Sequence, residues 1–272
     1  MSVLSRSNVQ NGLAPASDLQ RFAEACRGSD IQVLFFDYPN DGPIAWSGDR
    51  LGAELNELSV HHPKLRLAIV AHSMGGLVAR QALEATDSPP SAVIHLFMLG
   101  TPNHGSRLAG AQSWVEILRA VPSGRLLSTD LLRDGLSEAA DDLKPESRFL
   151  KKLNSRRRPA VVRYFSAIGR RSFISNDRRE RLRRELEDLF RRRKTAAELQ
   201  AAVLDALAAE ELQDGRGDGA VAVTSARFSG ADNERLFDLN HAELLALPGA
   251  QPKQAEVFDW IVRSLHWSRQ DD

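Results

Sequence analysis

Leu65-Arg66-Leu67-Ala68-Ile69-Val70-Ala71-His72-Ser73-Met74-Gly75-Gly76-Leu77-Val78-Ala79-Arg80-Gln81-Ala82-Leu83-Glu84-Ala85 is the stretch that decides the fold. Leu65 to Val70 reads as a buried strand. From Leu77 the apolar positions recur at helical spacing, through Val78, Ala82 and Leu83. Between strand and helix lies Ala71-His72-Ser73-Met74-Gly75-Gly76. A serine there occupies a sharp turn whose neighbours must be small, and the helix N-terminus behind it points free N–H groups at any negative charge developing on a reacting group. Ala71, Gly75 and Gly76 meet the size requirement. A glycine-rich turn opening an ordinary helix is the plain alternative. A phosphate-binding loop is disfavoured, because the triple-glycine spacing and the P-loop lysine are both missing.

Outward from this unit the pattern repeats. Upstream, Ile31 to Phe36 is a buried-strand candidate ended by Asp37-Tyr38-Pro39-Asn40-Asp41-Gly42-Pro43, and residues 17–27 carry Leu19, Phe22 and Ala23 at helical spacing. Trp46 to Leu58 places Leu51, Leu55 and Leu58 on one helical face, closed by His61-His62-Pro63. Downstream, residues 93–99 form a third strand, cut off by Gly100-Thr101-Pro102-Asn103-His104-Gly105. Further strands are expected at Ala160–Ala167 and in Ala220-Val221-Ala222-Val223-Thr224-Ser225-Ala226, with a closing helix from Ala255 to Leu265. Helices alternating with continuously apolar strands predict a mainly parallel sheet covered on both faces, an α/β fold.

Two insertions interrupt the alternation. Residues 107–158 carry the clusters Trp114/Ile117/Leu118 and Leu126/Leu127/Leu131/Leu132, and read as a helical cap or lid over the strand ends. Residues 175–213 read as a second helical insertion. Its 177–194 segment has nine basic and five acidic side chains around a stripe of Leu182, Leu186, Leu189 and Phe190. That pattern describes a salt-bridged surface helix, with peripheral membrane or protein contact as the alternative.

With 272 residues, the chain can bury one substantial core, and 1–272 is read as a single domain. Its apolar residues, at 42% before the 18 glycines are added, are too many for a disordered chain. Thirty-six basic residues balance 36 acidic ones, so no global field gathers nucleic acid. A lone Cys26 supports neither an intrachain disulfide nor a cysteine metal cluster. No apolar run approaches a membrane span, and the first residues lack a signal-peptide core. These features predict a soluble, cytoplasmic protein, and serine nucleophile chemistry needs no metal or organic cofactor.

Serine becomes a nucleophile only beside a base oriented by a third group. In a strand-turn-helix setting of this kind, acid and then histidine follow the serine in the chain. Asp218, in Gly217-Asp218-Gly219, and His241, in Asp238-Leu239-Asn240-His241, stand in that order. Asp214, Asp232 and Asp238 are rival acids. His61, His62, His72, His95, His104 and His266 are rival bases, of which His95 reads as a buried strand histidine and His266 as a surface residue after the last helix.

Four pieces together resemble the lipase-like branch of the α/β-hydrolases, which includes bacterial triacylglycerol lipases and proteins like the inositol deacylase of lipid-anchored proteins. They are Phe36-Asp37-Tyr38-Pro39, Ile69 to Arg80, Leu99-Gly100-Thr101-Pro102-Asn103-His104-Gly105-Ser106, and Gly217-Asp218-Gly219-Ala220-Val221 with His241. The resemblance implies Ser73 as nucleophile, His241 as general base and acid, Asp218 as the orienting carboxylate and the Met74 N–H as an oxyanion donor. It also implies that His72, Gly75, Thr101, Asn103 and His104 shape the site. The implied activity is hydrolysis of a small-molecule or lipid ester with an apolar acyl group. Thioesterase, amidase or acyltransferase chemistry would use the same residues, and a non-catalytic lipid- or protein-binding role is the competing class. One departure stands out. Such proteins open with an apolar strand ending in His-Gly, after which comes the second oxyanion donor. Before Ile31 only Asn11-Gly12-Leu13 offers a glycine-bearing loop. A shortened N-terminus and an unassigned second donor are therefore expected, and loss of that donor would cost about 3 kcal/mol of transition-state stabilisation.

Overall fold

A computed structural model describes residues 33–39, 42–109, 138–193, 197–245 and 252–267. Among these residues four strands form one sheet in the order β1 (Leu67–His72), β2 (Val93–Leu99), β3 (Arg163–Gly169) and β4 (Asn233–Phe237), every neighbouring pair parallel. Parallel strands need crossovers, and helices supply them, with α1 (Ile44–His61) before β1 and α2 (Met74–Glu84) between β1 and β2. After β2 come α3 (Glu138–Asp142) and α4 (Arg148–Asn154), then β3, α5 (Asn176–Arg193) and α6 (Ala197–Ala208). A single helical turn at Glu210–Leu212 and a short α7 (Val223–Ala226) precede β4, and α8 (Pro252–Trp267) closes the order.

The period-2 geometry of β2 sorts its side chains into two cores. Leu96 and Met98 join Ala71 and Tyr164 under α1, α2 and α4, with Leu77, Val78, Leu83, Leu150 and Leu153. Phe97 and Leu99 point the other way, to Phe165, Ala167, Phe237 and the α8 residues Val257, Trp260 and Ile261. Register puts Phe97 opposite Phe165, where the rings stack at 4.5 Å, and Trp260 meets both edge-on. Burial on both faces is why β2 reads as an unbroken apolar run. Truncating Leu77, which has no exposed surface, to alanine would cost about 2–5 kcal/mol.

Several expectations are corrected. Of the strand expected at Ile31–Phe36, the described residues 33–36 form none: among the described residues β1 pairs with β2 alone, and Leu34 and Phe35 stand 44% and 41% exposed. The apolar character of this segment instead serves alternate residues, Phe36 and Tyr38, which pack against the first core. The strand expected at Ala160–Ala167 begins at Arg163, because Val162 closes a turn onto Pro159 and Val161 faces water. Residues 220–226 are not a strand. Asp218 turns the chain back on itself there, leaving one bridge, Gly217 to Ala222, before α7. The last strand is β4, whose Asn-Glu-Arg start carries no apolar signal because it lies at the sheet edge. His266 belongs to α8 rather than following it.

Leu182, Leu186 and Phe190 of α5 pack on Val203, Ala206 and Leu207 of α6 and on Leu108, while Arg183, Arg184 and Arg192 pair with Glu187, Glu180 and Asp188 on the outer face. Of the cap expected at 107–158, residues 110–137 with both apolar clusters lie outside the described residues, as do the helix expected at 17–27 and the loop Asn11-Gly12-Leu13. The remainder of that segment forms α3 and α4. Among the described residues no helix is long and apolar enough to cross a membrane.

Candidate active site

The site grows from the C-terminal end of β1. Ser73 caps α2 with φ 54° and ψ −129°, a left-handed conformation that costs a serine of order 1–3 kcal/mol and survives only where its surroundings fix it. They do so here. The Ser73 N–H donates to the Leu99 carbonyl at 2.8 Å, and the Ser73 carbonyl accepts from Gly76 N–H at 3.1 Å. A side chain at Gly76 would run into Thr101, which is buried against it. Strand β2 and the turn after it therefore hold the serine where it protrudes at the helix N-terminus, beside the free N–H groups of Met74 and Gly75.

Asp218 and His241, both buried, meet at the end of the sheet. His241 Nδ1–H donates to Asp218 Oδ2 at 2.8 Å, and the His241 N–H donates to the Asp218 carbonyl at 2.9 Å. The other carboxylate oxygen, Oδ1, accepts the Val221 and Ala220 N–H groups at 2.7 and 3.0 Å. A carboxylate tied at both oxygens cannot rotate, and its bond to Nδ1 leaves the lone pair of the imidazole on Nε2.

His72 joins this pair to the serine turn. Its Nε2–H donates to the His241 carbonyl at 2.8 Å, and the two rings lie 4.6 Å apart. Burial and the neighbouring His241 push the His72 pKa down to about 4, so its ring is neutral at physiological pH and donates without adding charge. His72 directly precedes Ser73 in the chain, so this bond links the start of the serine turn to the His241 backbone.

The remaining candidates make other contacts. Asn103 has no exposed surface; its Oδ1 accepts from Arg80 at 3.1 Å and its Nδ2 donates to the Ala226 carbonyl at 2.9 Å. Arg80 also binds both oxygens of Glu84, reaches Asn154, and lies 4.3 Å from the Phe228 ring. His104 is exposed, its backbone N–H bound to the Ser225 carbonyl. Asp214 binds the Ser172 N–H and Asp232 the Tyr164 N–H, both away from His241. His95 is buried among Phe97 and Phe165, its pKa lowered by burial and by Arg163.

Sequence reasoning passed over two glycines. Gly100 has φ 59°, and a Cβ on it would lie 3.0 Å from His241 Nδ1 and 3.1 Å from Asp218 Oδ2. A Cβ on Gly169, at the end of β3, would meet the Asp218 Cβ at 2.7 Å. Each directly follows a long apolar strand stretch, which is the one signal that could have found them. Among the described residues no group of three histidine, cysteine or carboxylate side chains could hold a metal ion.

A domain of unknown function, DUF7379, matches residues 18–131. No curated protein matches the chain. Among solved structures, the mature form of Bacillus licheniformis lipase BlEst2 is similar at 21% identity and a TM-score of 0.51, over 78% of this chain and 73% of that one. Phospholipase PlaB from Legionella pneumophila is similar at 16% identity and a TM-score of 0.54, over 90% of this chain. The chain spans 55% of the phospholipase's length. Identities this low bear on the fold alone. Together with the parallel sheet, its flanking helices and its helical insertions, they show that this chain has the α/β-hydrolase fold.

Proposed function

We propose that the protein is a serine hydrolase acting on carboxylic esters through an acyl-enzyme, in the manner of the lipase-like α/β-hydrolases. The observation that carries this reading is the buried Asp218–His241 bond of 2.8 Å, held through His72 against the strained turn that presents Ser73. In this reading His241 Nε2 takes the Ser73 proton as Oγ bonds to the ester carbonyl carbon. The carbonyl oxygen becomes an oxyanion facing the Met74 N–H at the start of α2. Collapse breaks the bond to the leaving alcohol, which receives the proton from His241. Water, deprotonated by the same nitrogen, then attacks the acyl-enzyme and releases the acid, restoring Ser73. Asp218 holds the ring in the required tautomer and favours the imidazolium that forms at each step.

An apolar acyl group, from a small or lipid-like ester, is the substrate class proposed. Because the apolar stripe of α5 is used by α6, any contact of residues 177–194 with a lipid surface would be electrostatic, and vesicle binding would fall with added salt. The test is steady-state hydrolysis of p-nitrophenyl acetate, octanoate and palmitate by the wild-type chain and by Ser73→Ala. Turnover is expected in the wild type and absent in the variant. Equal hydrolysis by both, or none by either on ester, thioester and amide substrates, would overturn the proposal.

A further inference from the structure

The proposed oxyanion donor, the Met74 N–H, has no assigned companion, and the Tyr38 hydroxyl lies beside the turn that carries it. Residues 33–39 belong to neither helix nor strand, and Phe36 and Tyr38 pack onto the core that contains Ala71, Leu77 and, at its margin, Met74. The two rings stack at 5.7 Å with 24° between their planes, and the Arg50 guanidinium lies 6.0 Å from the Phe36 ring. So held, Tyr38 brings its hydroxyl to the first turn of α2, 3.4 Å from where a Cβ on Gly75 would stand. That position is two residues beyond Ser73 and one beyond the Met74 N–H. Among the described residues no group is hydrogen-bonded to this hydroxyl. Burial and the nearby Asp37 push the phenol up to about 12, so the oxygen keeps its proton wherever a histidine base is active.

We propose that the Tyr38 hydroxyl is the second donor to the oxyanion formed at Ser73, completing with the Met74 N–H a hole made of one side chain and one backbone group. The proposal rests on the serine hydrolase reading above. A phenol suits the task chemically. It donates a hydrogen bond to an alkoxide-like oxygen more strongly than to an ester carbonyl, so its contribution appears in the transition state rather than in substrate binding. The small Gly75 leaves the approach open, because a methyl there would stand against the phenol oxygen. It would also account for the aromatic residue in Phe36-Asp37-Tyr38-Pro39, a segment that adds no strand to the sheet among the described residues.

The experiment compares wild type, Tyr38→Phe and Ser73→Ala in p-nitrophenyl butyrate hydrolysis, and in inhibition by an alkyl trifluoromethyl ketone, which forms a tetrahedral adduct with an activated serine. Tyr38→Phe removes one oxygen and keeps the ring packing. It is expected to lower kcat on the order of 10²-fold, to leave KM unchanged and to weaken the ketone by the same factor. Wild-type kcat in Tyr38→Phe would overturn the proposal and leave the hydrolase reading standing. A fall in activity carried by KM, with ketone affinity intact, would also overturn it, since that is the mark of a packing role. Absence of turnover and of ketone binding in the wild type would overturn both.

Discussion

The Asp218–His241 and Arg80–Glu84 pairs lie on the two sides of the turn that follows β2, and water is almost wholly excluded from each, with side chains 1% and 4% exposed in the first and 1% each in the second. What separates them is how completely their hydrogen bonds are used. Arg80 gives Nε and Nη2 to the two oxygens of Glu84 and Nη1 to Asn103 and Asn154, and its face rests on Phe228. Nothing there is left to react, so the group ties α2, α4 and the Thr101–Gly105 turn into one body. Asp218 is equally saturated, but among the described residues the hydrogen bonds of His241 use its Nδ1 and its backbone and leave Nε2 open. Burial with every site filled makes scaffold. Burial with one site kept open is what the proposed base requires.

Three substitutions press on that contrast. The largest effect is expected from Asp218→Asn, which keeps the shape but allows the wrong imidazole tautomer. The kcat should fall about 10⁴-fold in steady-state ester hydrolysis, while the melting temperature moves little. Next comes Glu84→Gln, which strands the Arg80 charge in the core. Denaturant unfolding should show a loss of about 3–5 kcal/mol, with kcat per folded molecule retained. If Glu84→Gln instead abolished turnover in folded protein, or Asp218→Asn mainly unfolded the chain, the assignment of roles would be reversed.

The smallest effect concerns His72, which borders the reactive pair. Its pKa is lowered from 6.5 to about 4 by burial first and by His241 second, so the unfolded chain takes up this proton before the folded one does. The neutral ring therefore supports full stability above about pH 6.5, and stability declines as pH falls towards 4. Replacement by Gln, which offers an N–H to the same carbonyl, should flatten that part of a stability-against-pH curve. An unchanged slope would show that the His72 ring is not held neutral.

Legibility in the sequence followed local chemistry. The turn around Ser73 was readable because strand, small residues and helix succeed one another without interruption, and β2 because both of its faces are buried. Asp218 and His241 could be named only through chain order and resemblance, since a separation of 23 positions conceals that the chain returns to bond Nδ1 to Oδ2. β4 escaped because an edge strand can begin Asn-Glu-Arg without burying them, and residues 220–226 misled because their apolar side chains fill a turn braced by Asp218 rather than a ladder. Gly100 and Gly169 are close-approach positions, which depend on what lies opposite in space and leave little trace along the chain. Asn103 shows the same limit: its place in a loop beside the site says nothing of the Arg80 guanidinium it faces.

Labelling with a fluorophosphonate probe tests the central claim most directly, because the reagent phosphonylates only a serine already activated by its surroundings. The wild-type chain, Ser73→Ala and His241→Ala would be treated together, with folding checked by circular dichroism. The account predicts labelling of the wild type at Ser73 and its loss in both variants. A folded wild type that stays unlabelled, or a His241→Ala variant that labels as fast as the wild type, would contradict it.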